Sequence, residues 1–266
     1  KGSVYFGGTF DKLEAEHREH WDLLVIDEAH EGVDTYKTDR AFDKIRRDYT
    51  LHLTGTPFKQ IAGNKFANDA IFNWTYADEQ NAKESWNEES ANPYFDLPKL
   101  TMFTYQMSDI VREKVSKGMD LDDTTADFAF DLNEFFATNE SGRFVHDDAV
   151  NKFLDALATQ EKFPFSTPEL RNELKHTFWV LNRINSAVAL AKKLKAHPVF
   201  KDYEIVSVAG DGRIDEDDDT KNKKAYAKVI DAIHKHDKTI TLSVGQLTTG
   251  VTVPEWTAVL MLSNIS

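Results

Sequence analysis

Short apolar runs and amphipathic stretches alternate through much of this chain. Leu23-Leu24-Val25-Ile26 is fully apolar and β-prone, so it predicts a strand buried on both faces of a parallel sheet. Leu51-His52-Leu53-Thr54 predicts a second strand, broken by Gly55 and Pro57. Val4 to Phe10 predicts an earlier strand and turn, so residues 1 to about 78 read as strand, helix, strand, helix, strand. A polar stretch from Glu79 to Ala91, closing on Pro93 and Pro98, has linker composition, and Leu100 to Tyr105 reads as the strand entering a second domain.

Helical signals dominate from about 108 to 175. Val150, Phe153, Leu154 and Leu157 fall at i, i+3, i+4 and i+7, which predicts an amphipathic helix over Asp148 to Gln160. Phe128, Phe130, Phe135 and Phe136 sit among acids, as aromatic anchors of a helical insertion or as a docking surface for another subunit. Strand–helix alternation returns with strands at Thr177–Leu181, Glu204–Val208, Thr239–Val244 and Thr257–Leu262. Helix faces are marked by Ile184, Ala187, Val188, Ala191 and Leu194, and by Tyr226, Val229, Ile230 and Ile233. This order predicts a parallel sheet covered by helices.

Composition narrows the class. The chain has 266 residues, 41% hydrophobic and 29% charged, as in a globular protein. No apolar run approaches the roughly 18 residues of a membrane helix, and no signal-peptide pattern opens the sequence. The opening Lys1 and the stop just after a strand at Ser266 suggest a piece of a longer polypeptide. The absence of cysteine excludes disulfides and thiolate chemistry and fits a cytoplasmic setting. A net charge of −13 argues against a basic sheath for nucleic acid, while leaving room for a local groove that uses main-chain N–H groups, hydroxyls and a few cations. His234 and His236 are not spaced to share a helix face, so they read as a polar helix end.

Chemistry concentrates at strand ends. Asp27 and Glu28 follow an apolar strand, where ligands of open α/β sheets bind. Asp27 suits a Mg²⁺ held directly or through water and shared with phosphates, and Glu28 suits the activation of an attacking water. Taken alone, the pair reads first as a helix N-cap with acids favoured by the helix dipole. Thr54-Gly55-Thr56-Pro57 alone is an ordinary turn. Asn182 and Arg183 end the 177–181 strand, and Thr248-Thr249-Gly250 follows the 239–244 strand. Small hydroxyl residues around a glycine let a phosphate or ribose approach closely.

Taken together, Asp27-Glu28-Ala29-His30, Leu53-Thr54-Gly55-Thr56-Pro57, Phe178 to Ile184 and Leu247-Thr248-Thr249-Gly250-Val251-Thr252-Val253-Pro254 resemble motifs II, III, IV and V of superfamily 2 DEAD/DEAH-box helicases and translocases. The look is nearest to the motor subunit of type I or type III restriction enzymes. The resemblance implies a P-loop NTPase fold: two RecA-like parallel-sheet domains, both incomplete, at 1–98 and 99–266, with a helical insertion at about 108–175. It implies ATP and Mg²⁺ as cofactors, Asp27, Glu28 and His30 as catalytic residues, and Thr54, Gly55, Thr56 and Gly250 as nucleotide-binding or coupling residues. Asn182, Arg183, Thr248 and Thr249 would contact nucleic acid.

The implied function is an ATP-dependent DNA translocase or helicase motor region of a restriction-modification enzyme, acting on double-stranded DNA beside other subunits or domains. An RNA helicase or a non-catalytic nucleic-acid-binding scaffold are the alternatives. Motif I, with its phosphate-binding Lys, and motif VI, with its arginine, have no counterpart in these residues, so this chain alone is expected not to hydrolyse ATP.

Overall fold

The computed structural model describes residues 19–27, 45–56, 66–104, 131–208 and 218–264. The chain divides into two compact units, Lys1–Thr101 and Met102–Ser266. The fold is α/β, with parallel strand pairing in both units.

In the first unit, β1 (His20–Ile26) pairs in parallel with β2 (Arg46–His52). The register sets Leu23 opposite Tyr49 and Val25 opposite Leu51. Because side chains alternate along a strand, Trp21, Leu23, Val25, Tyr49 and Leu51 share one face. Burial on both faces was expected for Leu23–Ile26, but Leu23 and Val25 are each 49% exposed while Ile26 is buried. Among the described residues no helix covers that face.

The polar stretch beginning at Glu79 is not a linker throughout. It continues helix α1 (Tyr76–Ser85). The helix starts at a capping box: Thr75 Oγ1 accepts from Asp78 N at 3.2 Å, and the Asp78 carboxylate accepts from Thr75 N at 2.9 Å. That reciprocal pair satisfies two of the backbone donors a helix start leaves open. Leu100–Thr104 is not a strand either. Residues after the helix fold back along it instead. Lys83 Nζ donates to the Leu97 carbonyl at 2.6 Å, and Leu100 N donates to the Tyr76 hydroxyl at 2.7 Å.

The second unit is built on a four-stranded parallel sheet of β3 (His176–Val180), β4 (Glu204–Ser207), β5 (Thr239–Ser243) and β6 (Ala258–Met261), in the order β4-β5-β3-β6. Before the sheet come α2 (Leu132–Phe135), α3 (Asp147–Thr159) and α4 (Pro168–Glu173). α5 (Ile184–Ala196) links β3 to β4, and α6 (Asp218–Lys235) precedes β5.

Period-two alternation divides the strand side chains between two cores. Trp179, Leu181, Ile205, Ile240 and Leu242 pack with Leu190 and Leu194 of α5 and with Phe135, Val150, Leu154 and Leu157. Phe178, Val206 and Val208 pack on the other face with Ala225, Val229 and Ile233 of α6. The sheet therefore lies between helical layers. The helices before β3 belong to its first core: Phe135 and Phe136 are fully buried, and Phe165 lies between Trp179 and Phe200 at ring distances of 5.8 and 5.1 Å. Phe128 and Phe130 lie outside the described residues.

Candidate functional site

Each unit presents a carboxyl edge, where strands stop and polar loops begin. In the first unit, Leu53 N donates to Ile26 O at 2.8 Å, extending the ladder one step beyond β2. Asp27 and Thr54 therefore leave the sheet side by side, and Asp27 is exposed. Thr54 Oγ1 accepts from Thr56 N at 3.1 Å, which closes a turn over Gly55. A Cβ built at Gly55 would meet open space, so the turn needs no close approach there. The structure thus brings Asp27, Thr54, Gly55 and Thr56 to one edge. Glu28 and His30 lie outside the described residues, as do the Val4–Phe10 segment and Pro57.

In the second unit, Leu181 N donates to Ser243 O at 2.9 Å, so the residues after β3 leave alongside those after β5. The two connections then part. The chain after β3 enters α5, which packs on the first face, while Leu247 and Val253 of the segment after β5 pack on the second. Such a parting of neighbouring connections opens a crevice at the carboxyl ends of the strands, where open α/β sheets bind their ligands. Asn182 and Arg183, both exposed, stand on the β3 side. Gly245 to Gly250 form the β5 side, with Thr248, Thr249 and Gly250 exposed.

The loop's backbone is unusual. Gly245 (φ 85°), Leu247 (φ 60°) and Gly250 (φ 70°) are all left-handed. Glycine adopts this freely. Leu247 does so because its side chain is buried in the second core, and a left-handed non-glycine residue costs on the order of 1–2 kcal/mol. The hydroxyls are engaged locally: Thr248 Oγ1 donates to Gly245 O at 2.8 Å, and Ser243 Oγ donates to Gln246 O.

Sequence reasoning missed two contributors to this edge. One is the strained Leu247, hidden because a leucine beside threonines reads as a β residue. The other is Lys228, whose ammonium donates to the Ser207 carbonyl at 2.8 Å and so brings a cation to the end of β4. Its position on the helix face beside Ala225 and Val229 was the available signal.

The described residues contain no group of three or more His, Asp or Glu side chains that could enclose a metal ion. A Mg²⁺ shared with phosphates keeps several waters and needs only one or two carboxylates. Asp27, exposed at its strand end, fits that lesser requirement. No helix among the described residues is long and apolar enough to cross a membrane.

Comparison with known proteins gives the context. No family model matches the chain, and no solved structure matches it. The chain is similar to a Mycoplasma pneumoniae protein described as the C-terminus of a candidate type II restriction enzyme and methyltransferase, at 28% identity over a 265-residue alignment covering 90% of this chain. The match spans 36% of that relative, so the chain corresponds to about a third of its length.

This finding corrects the functional reading. The translocase or helicase motor of a type I or type III restriction enzyme does not stand, because the relative is a candidate type II restriction enzyme and methyltransferase and no helicase family model matches. The RNA-helicase and helicase-fold scaffold alternatives fall with it. The physical reason lies in the motifs. The Thr54 and Thr248 hydroxyls that suggested a motor each serve a turn within their own loop. Short strand-end sequences of this kind arise wherever a parallel strand must turn.

Proposed function

We propose that this chain is a DNA-contacting α/β region of a restriction-modification polypeptide, and that its contact edge is the β3/β5 crevice of the second unit. The observation that carries this reading is the similarity, along 90% of the chain, to a candidate restriction enzyme and methyltransferase. The crevice supports it. Arg183 and Lys228 supply cations to one edge of a chain whose net charge is −13, and Asn182 and Thr249 supply neutral donors beside them. Contacts of this kind hold the phosphate backbone without reading sequence. Double-stranded DNA is the partner, together with other domains or subunits of the same system.

The finer architecture in this reading is two incomplete RecA-like units, 1–98 and 99–266, with a helical insertion at about 108–175. The first unit's edge takes ATP with Mg²⁺. Asp27 holds the ion directly or through water, Glu28 and His30 serve the phosphate chemistry, and Thr54, Gly55 and Thr56 line the nucleotide. Bound there, the triphosphate would supply a hydrolysable phosphoanhydride and the ion would offset the charge on its phosphate oxygens.

The test is restriction of unmodified phage by cells that carry the longer polypeptide. Wild type should lower plating, and Arg183→Ala with Thr249→Ala should restore it at unchanged protein level. Equal plating for wild type and variant overturns the proposal.

A further inference from the structure

Apart from the two carboxyl edges, the part of the first unit between residues 66 and 101 carries an unusual surface. It holds seven acidic side chains against two lysines, a net charge of −5 in a short stretch. One of those lysines is engaged internally, since Lys83 Nζ donates to the Leu97 carbonyl. Among the acids, Glu84, Glu88, Glu89 and Asp96 are exposed.

The same stretch displays aromatic rings to solvent. Trp74 is 49% exposed and stacks on Tyr94, with ring centroids 6.1 Å apart and planes 26° apart. Trp86 meets Tyr94 edge-on at 5.9 Å, so the rings form one connected cluster. Phe95, next to Tyr94, is 71% exposed, and the Lys83 ammonium stands 6.0 Å from its ring centroid. A ring face in this stretch thus already meets a cation within the structure. Exposed, stacked aromatics on a folded surface mark an interaction site. The surrounding acids exclude a nucleic-acid strand, which stacking rings otherwise suit, and select a cationic partner.

We propose that the Trp74–Tyr94–Phe95 surface docks an arginine-rich polypeptide segment. Guanidinium planes stack on aromatic faces better than ammonium groups do and are held in addition by carboxylates. This inference is independent of DNA contact at the other unit.

The experiment is fluorescence anisotropy of labelled octa-arginine with the full chain, beside octa-lysine and oligo-deoxythymidine. Octa-arginine should bind more tightly than octa-lysine, and any binding of labelled oligo-deoxythymidine, measured by itself, should be the same for wild type and Trp74→Ala. Phe95→Leu keeps the apolar bulk without the ring and should weaken octa-arginine binding roughly two- to fivefold. Phe95→Tyr should retain it. Phe95 is mostly exposed, so neither change threatens folding, and circular dichroism checks Trp74→Ala, which should weaken binding as well. The proposal is overturned if Phe95→Leu and Trp74→Ala bind as wild type does. That result would reduce the attraction to net charge. Equal binding of the two peptides, or loss of oligonucleotide binding in Trp74→Ala, overturns it too.

Discussion

Replacing Thr241 by valine should stabilise the second unit, against the usual direction of core mutations. Thr241 is fully buried in β5, between Phe178 of β3 and Val206 of β4 in the sheet register. Its Oγ1 has no hydrogen-bond partner among the described residues. A buried hydroxyl left unpaired costs about 1–3 kcal/mol. Valine keeps the β-branched shape while exchanging the hydroxyl for a methyl group against apolar neighbours. A gain of about 1–2 kcal/mol is expected, and in a unit of this size it corresponds to a Tm rise of about 2–8 °C.

Thr177 supplies the opposite control. It too is fully buried, but its Oγ1 accepts from Trp179 Nε1 at 3.0 Å. Thr177→Val strands the indole N–H in the core and should cost about 1–3 kcal/mol. Thermal unfolding followed by circular dichroism reads both variants. A Thr241→Val chain that melts at or below the wild-type temperature would refute the reasoning, because it would mean that a partner such as a buried water satisfies the hydroxyl.

Two further outcomes follow from local geometry. Thr75→Ala removes the capping box of α1 and should cost about 1 kcal/mol, read as faster amide hydrogen exchange across 76–85 with 176–180 unchanged. His176 is partly buried, with its Nδ1 3.0 Å from Thr239 Oγ1, and burial pushes its pKa below the usual 6.5 even though Asp237 pulls it up. The unfolded chain then takes up the proton more readily. Stability from this group is present above pH 6.5 and is lost as pH falls through the range between the unfolded and folded values. His176→Asn should flatten the pH dependence of denaturant midpoints there, and an unchanged slope would contradict the assignment.

The second unit was the more legible part of the sequence. Its strands are short and buried, and its helices carry wide apolar faces, so periodicity places β3, β4, β5, β6, α3 and α5 within a residue or two. The first unit was less legible. β1 and β2 begin at His20 and Arg46, earlier than their apolar runs, because polar residues are tolerated on exposed strands. α1 has no apolar face for periodicity to detect and buries no residue. The local signal for it is the Thr75–Asp78 spacing of its capping box. At the site, the strand ends set Asp27 beside Thr54 and the residues after β3 beside those after β5, while Glu28 and His30 lie outside the described residues. Residue type and order say which side chains stand near a strand end. They did not reveal that the Thr54 and Thr248 hydroxyls bond their own loops, since a threonine aimed at a ligand and one closing a turn have the same sequence.

The most direct test of the central claim is the affinity of this chain for labelled duplex DNA across a salt series, for wild type, Arg183→Ala and Thr249→Ala. The account predicts duplex binding that weakens with salt. Arg183→Ala should bind less tightly and flatten the log–log salt slope by about one, whereas Thr249→Ala should bind less tightly with the slope preserved. Absence of duplex binding, or equal affinity and slope in all three proteins, would contradict the β3/β5 edge as the DNA contact.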